Sequence, residues 1–178
     1  MIWKEAYKFI TSQILEVINN INYESINKAK EIILASQKIF VYGAGRSGII
    51  GKAFAMRLVQ LGLVAYFIGE TITPIVTEYD AVIIISNTGN TKSSVLVSEI
   101  SKNVGAKIIS ITSNPESEIS KISNLQIILG PISHNSLAPL GTVFEDAALI
   151  FLDSFVAELM ESLKQTEEDL RKRHAIWV

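Results

Sequence analysis

Ala81-Val-Ile-Ile-Ile85-Ser-Asn-Thr-Gly-Asn-Thr91 joins five consecutive apolar residues to a loop of hydroxyls, amides and one glycine. A short run of that kind, β-branched and without polar alternation, predicts a strand covered on both faces, as in the middle of a parallel sheet. The stretch that follows, 93–103, reads as a helix closed by Gly105. Strand, polar loop and helix recur on both sides of this segment. Lys38-Ile-Phe-Val-Tyr-Gly43 predicts an earlier strand, followed by a glycine-rich turn and a helix over 48–61 that stops at Gly62. Further strands are expected over 64–68, 107–111 and 125–129, with a short helix over 117–122 between the last two.

The flanks are helical. Ile10, Ile14, Leu15, Ile18 and Ile21 fall at helical spacing, and a second periodic stretch, Ile26, Ala29, Ile32 and Ile33, runs up to Ser36. A loop over 130–141, punctuated by Pro131 and Pro139, precedes one long helix over 143–165. A short charged helix comes last, with Glu167/Arg171, Glu168/Lys172 and Asp169/Arg173 placed one turn apart for ion pairing. The pattern predicts an α/β fold: a three-layer α/β/α sandwich with a five-stranded parallel sheet and right-handed crossovers, N-terminal helices and a long C-terminal helix. Neither a repeat nor a linker interrupts it, so residues 1–178 are expected to form a single domain.

Composition narrows the function classes. Of 178 residues 48% are hydrophobic and 19% charged, a globular balance. The net charge of −2 comes with no lysine or arginine run, so no nucleic-acid partner is expected. The chain has no cysteine, which excludes disulfides and thiolate metal sites and suits a cytoplasmic protein. Neither a signal-peptide layout nor an apolar stretch of membrane-spanning length is present, so no membrane partner is expected.

In open α/β sheets ligands gather at the carboxyl ends of the strands, and two unusual loops fall there. The first is Gly43-Ala44-Gly45-Arg46-Ser47-Gly48. Its glycines allow close backbone approach and its helix start favours an anion, so Gly45, Arg46 and Ser47 are candidate phosphate ligands. It also fits the dinucleotide pattern G-x-G-x-x-G, with Glu70 about 20 residues on where that pattern wants an acid. The cation and hydroxyl in the turn suit a compact phosphate better. The second loop is Ser86-Asn87-Thr88-Gly89-Asn90-Thr91, also proposed to bind phosphate. One hydroxyl would serve as a helix cap, but three cluster here around a flexible glycine and a helix start.

Together with Phe54-Ala-Met-Arg-Leu58, Gly69-Glu-Thr-Ile-Thr-Pro74, Pro139-Leu-Gly-Thr-Val-Phe-Glu145 and Arg173-His-Ala175, these loops resemble the sugar isomerase (SIS) domain family over essentially the whole chain. The run 69–74 and the Arg-His pair resemble the branch that interconverts 3-hexulose 6-phosphate and fructose 6-phosphate. The resemblance implies a flavodoxin-like sheet, a homotetramer, a phosphorylated hexulose as substrate, and isomerisation through a cis-enediol without metal or other cofactor. It places Glu145 at the catalytic glutamate and makes His174 its acid/base partner or a ring-opening shuttle. Many relatives carry Ser-Gly-Ser-Gly followed by Glu or Arg before the threonine, where this chain has Asn87, Thr88 and Asn90.

Each assignment has a plainer alternative. Thr142-Val-Phe-Glu145 is a capping-box pattern, which would tie the Glu145 carboxylate to backbone. His174 stands on a charged tail, although the apolar ending Ile176-Trp177-Val178 suggests that this tail docks on a neighbouring subunit. His134 matches no motif and is expected at the surface, and two histidines without ligand spacing give no metal site. Glu70 either lines the pocket or ends a strand. Arg57 is expected in a structural ion pair, and Phe54 and Met56 in the core or an interface. An isomerase of a pentose or heptose phosphate, a non-catalytic sugar-phosphate regulator, and a nucleotide-binding protein built on the first glycine loop remain as other readings.

Overall fold

The computed structural model describes residues 1–176. In chain order the elements are α1 (Ile2–Asn19), α2 (Tyr23–Ala35), β1 (Ile39–Gly43), α3 (Arg46–Gln60), β2 (Ala65–Phe67), β3 (Ala81–Ile85), α4 (Lys92–Val104), β4 (Lys107–Thr112), α5 (Glu118–Ile122), β5 (Leu125–Ile128), α6 (Thr142–Leu163) and α7 (Glu167–Lys172). All four strand pairings are parallel and the sheet order is β2-β1-β3-β4-β5, the expected flavodoxin-like arrangement.

Alternate residues of the apolar strands face opposite layers. Ile39, Val41, Ile83, Ile85, Ile109, Ile111 and Ile127 pack with α1, α2, α3 and α6, whereas Phe40, Val82, Ile84 and Ile108 pack on the α4–α5 side. All five residues of β3 are buried, and each fully buried isoleucine contributes roughly 1.5–3 kcal/mol. Phe54 lies in the larger core against Phe155, with ring centroids 6.4 Å apart, while Met56 on the same helix is exposed. Arg57 pairs with Asp153 of α6 at 3.8 Å, within the chain.

Some local expectations shift. The helix expected from Gly48 starts at Arg46, because Gly45, at φ 58°, turns the chain directly into it. No helix occupies the connection between β2 and β3; it is fastened by the buried Asp80. Burial alone would raise this carboxyl's pKa. Hydrogen bonds from the Thr77 N–H and hydroxyl, and the bond and charge of the Lys38 ammonium, outweigh burial and hold it below the usual aspartate range. In α7, Glu167–Arg171 and Glu168–Lys172 form at 2.6 and 3.3 Å. The expected Asp169–Arg173 pair does not form. Asp169 instead closes a capping box with Thr166, and the Arg173 guanidinium donates to Gln60 O (3.2 Å) and Gln165 Oε1 (2.8 Å). Among the described residues no helix is long and apolar enough to cross a membrane.

Candidate functional site

The sheet order reverses between β1 and β3, since β1 crosses over to β2 on one side and β3 leads to β4 on the other. The crevice at the carboxyl ends of those two strands is where such sheets bind ligands. The 43–48 and 86–91 loops stand on either side of it, so the structure brings the two sequence-predicted loops to one place.

The start of α6 supplies the third wall. Glu145, in its first turn, is 9% exposed overall, yet its carboxylate takes no part in capping: Thr142 Oγ1 donates to Pro139 O at 2.7 Å, and α6 has no side-chain cap. The capping-box alternative therefore fails. The carboxylate is held instead by residues about a hundred positions earlier, with Ser47 Oγ donating to Oε1 at 3.3 Å and Arg46 Nε lying 3.3 Å from Oε2. Arg46 also bonds Asp146 Oδ1 at 3.2 Å and Thr142 Oγ1 at 3.4 Å. A Cβ on Gly141 would come 3.0 Å from the same carboxylate, so a larger residue before α6 would press on Glu145. Arg46 and Ser47, expected beside a phosphate, are thus seen gripping the acid.

The 86–91 loop is wired differently. Its backbone and amides bond to the strands and helices around it: Asn87 O accepts from Thr112 Oγ1 (2.8 Å), Ser113 N (3.1 Å) and Ser113 Oγ (2.9 Å), and Asn87 Oδ1 accepts from Ser113 Oγ at 2.7 Å. Asn90 Oδ1 accepts from Glu118 N at 2.9 Å. Gly89 has φ 67°, and a Cβ there would lie 2.1 Å from Ser117 Oγ, so glycine is required on both grounds. Thr91 is the N-cap residue of α4 yet makes no side-chain capping bond; its hydroxyl faces Ser86 Oγ at 3.3 Å. Thr88 Oγ1 accepts from Asn90 N at 3.3 Å and keeps its own proton to donate. Hydroxyls at 86, 88 and 91 therefore surround the start of a 13-residue helix, whose first-turn N–H groups have no intrahelical acceptor. This is an arrangement suited to a small oxyanion.

A cavity of about 480 Å³ opens beside this loop, bounded by Asn87, Thr88, Ser113, the 131–134 segment after β5, and the turn into α6 at 138–144. His134, exposed as expected, is among the residues that line it. Sequence reasoning missed this residue because only the fold brings the β5 exit against the 86–91 loop. Glu70 lies elsewhere, exposed and paired with Lys52 of α3 at 2.8 Å, so the acid that a dinucleotide would need is engaged at the surface.

His174 is not brought to Glu145. It is exposed, its Nδ1 lies 2.9 Å from Ala175 O, and the adjoining Arg173 is fastened to Gln60 at the far end of α3 from Arg46. The 15 residues of α3 span about 22 Å. Ile176 is exposed, and Trp177 and Val178 of the apolar ending lie outside the described residues.

Comparison with known proteins agrees with this architecture. The SIS domain matches residues 32–149. A 3-hexulose-6-phosphate isomerase of Methanocaldococcus jannaschii is 42% identical over 142 residues, covering 80% of this chain and 78% of that protein. The Bacillus subtilis protein of the same name is 35% identical over 179 residues, covering 93% of this chain and 97% of its own. A crystal structure from Methanococcus jannaschii, from which a 3-hexulose-6-phosphate isomerase function was inferred, superposes with a TM-score of 0.90 at 36% identity, covering 98% of this chain and 99% of that one. A crevice walled by a glycine turn, a hydroxyl loop and a helix-borne glutamate, on a sheet shared with these relatives, places the chain in the sugar isomerase (SIS) domain family.

Proposed function

We propose that the chain interconverts 3-hexulose 6-phosphate and fructose 6-phosphate. The observation that carries this reading is the Glu145 carboxylate: nearly buried, uncapped, and fixed by Ser47 and Arg46 at the crevice beside the hydroxyl loop. In this reading Ser86, Thr88 and Thr91 and the α4 N–H groups hold the phosphate, and Asn87, Gly89 and Asn90 give their loop its shape. Binding at the phosphate, remote from the reacting carbons, holds C2 and C3 in register. Glu145 takes the proton from C2 of the 3-ketose, the electron pair forms the C2–C3 double bond as the C3 carbonyl π bond breaks, and the C3 oxygen takes a proton to give a cis-enediol. The C2 hydroxyl then gives up its proton as the carbonyl forms at C2, and the C2–C3 electron pair takes a proton at C3. The atoms balance without an oxidant, a reductant or a second substrate. The relatives named as 3-hexulose-6-phosphate isomerases support the choice of sugar.

Solvent exchange tests the chemistry. Purified protein incubated with fructose 6-phosphate in deuterated water is expected to place deuterium at C3. Label at C1 alone would reveal aldose–ketose chemistry instead, and no label would favour a regulator.

His174 fits this scheme only across a subunit boundary, in a homotetramer whose tails reach neighbouring crevices. Mixing inactive Glu145→Gln and His174→Ala proteins under conditions of subunit exchange should then recover activity that neither parent has. Failure to recover it, with exchange verified by mass, would remove His174 from the mechanism.

A further inference from the structure

We infer that His134 is a substrate-contacting residue that recognises the sugar end of the ligand. This rests on the reading of the 86–91 loop as the phosphate anchor. With a phosphate on that loop, the remainder of a sugar phosphate has room to extend into the cavity of about 480 Å³ that begins at Asn87 and Thr88 and ends at the 131–141 loop. Its volume falls within the ordinary range for small-molecule sites. The Glu145 carboxylate lies directly behind its Gly141 wall.

Much of this cavity cannot bond a hydroxyl. Ile132, Ala138, Leu140, Val143 and Phe144 are apolar, and on the 86–91 side the Asn87 amide oxygen is taken up by Ser113 Oγ at 2.7 Å. Thr88 belongs to the anion end. That leaves Ser133 and His134 as polar side chains on the opposite wall, and His134 is the sole titratable side chain among the residues that line the cavity. The segment carrying it is tied back to α1, since Ser133 N donates to Gln13 Oε1 at 3.3 Å, so the imidazole is presented from an anchored backbone. Sugar hydroxyls that reach the wall opposite the 86–91 loop need a donor or acceptor there, and an imidazole offers both.

The test is calorimetric titration of the full chain with inorganic phosphate and, separately, with fructose 6-phosphate. For His134→Ala the affinity for fructose 6-phosphate should fall about tenfold, the effect of losing one hydrogen bond, while that for inorganic phosphate stays within about twofold of wild type. His134→Gln, which keeps a donor and an acceptor, should recover most of the loss. Thr88→Val should weaken both ligands. An unchanged fructose 6-phosphate affinity in His134→Ala would overturn the inference. So would an equal loss for both ligands, which would assign the residue to the anion end or to the fold of the loop. Wild-type protein that binds neither ligand would instead defeat the isomerase reading itself.

Discussion

The two loops at the switch point are equal in length but differ in their glycines, three in 43–48 and one in 86–91, and they are wired to opposite ends. The 43–48 loop is charged, and its functional side chains point across to α6: Arg46 and Ser47 hold Glu145, and Arg46 also holds Asp146. The 86–91 loop is neutral, and its bonds to surrounding elements run through amides and backbone to β4 and α5, leaving hydroxyls at the crevice. A carboxylate that must abstract a proton needs fixed geometry, which long-range side-chain contacts supply. A bound phosphate carries its own charge and needs donors that are already in place, which a rigid loop at a helix start supplies. On the proposed reading, the 43–48 loop sets the base while the 86–91 loop builds the anchor.

The largest break in this division of labour is Glu145→Gln. The amide keeps the size and still accepts from Ser47 but cannot take the C2 proton, so kcat should fall by about 10²–10⁴-fold with fructose 6-phosphate affinity nearly unchanged. Steady-state rates beside calorimetry read both, and an active variant would remove Glu145 as base. Next is Gly89→Ala. A methyl group there strains a positive φ and meets Ser117, at a cost of about 1–3 kcal/mol for the backbone alone. The affinity for inorganic phosphate should drop at least tenfold, while Glu145, bonded to the other loop, keeps its position. Thermal melts and phosphate titrations check it; unchanged phosphate affinity would show that the loop is not the anchor.

How much of this could be read from the sequence divides along the same line. The sheet was legible because Ala81–Ile85 and its companions are uniformly apolar, which only strands buried on both faces require. The 86–91 loop was legible because three hydroxyls cluster within its six residues, at 86, 88 and 91. The setting of Glu145 was not. Thr142-x-x-Glu145 has the local form of a capping box, and what defeats the box is remote: Pro139 O captures the threonine hydroxyl and Arg46 takes the acid. Asp169 shows the reverse, since a pairing expected with Arg173 gave way to a cap with Thr166. Local patterns offer a carboxylate several partners, and tertiary contacts choose among them. His134 and His174 illustrate the same limit, because neither carries a local signal of what the fold sets beside it.

The finest discrimination concerns Arg46, which the sequence suggests as a phosphate ligand and the structure pairs with two acids. If it orients the base, Arg46→Ala should lower kcat about tenfold by loosening the carboxylate, since small displacements of a reacting group are costly. The affinity for inorganic phosphate should stay within about twofold of wild type. If Arg46 turns to the anion once substrate arrives, the same variant would weaken phosphate binding by tenfold or more, as expected for a lost charge-assisted contact. Arg46→Lys separates the cases further. A lysine reaches one acceptor at a time, so it cannot hold Glu145 and Asp146 together as the guanidinium does, but it remains a serviceable partner for phosphate. Low kcat with normal phosphate affinity in the lysine variant would keep the two loops in their separate roles, and the opposite result would merge them into one anion site.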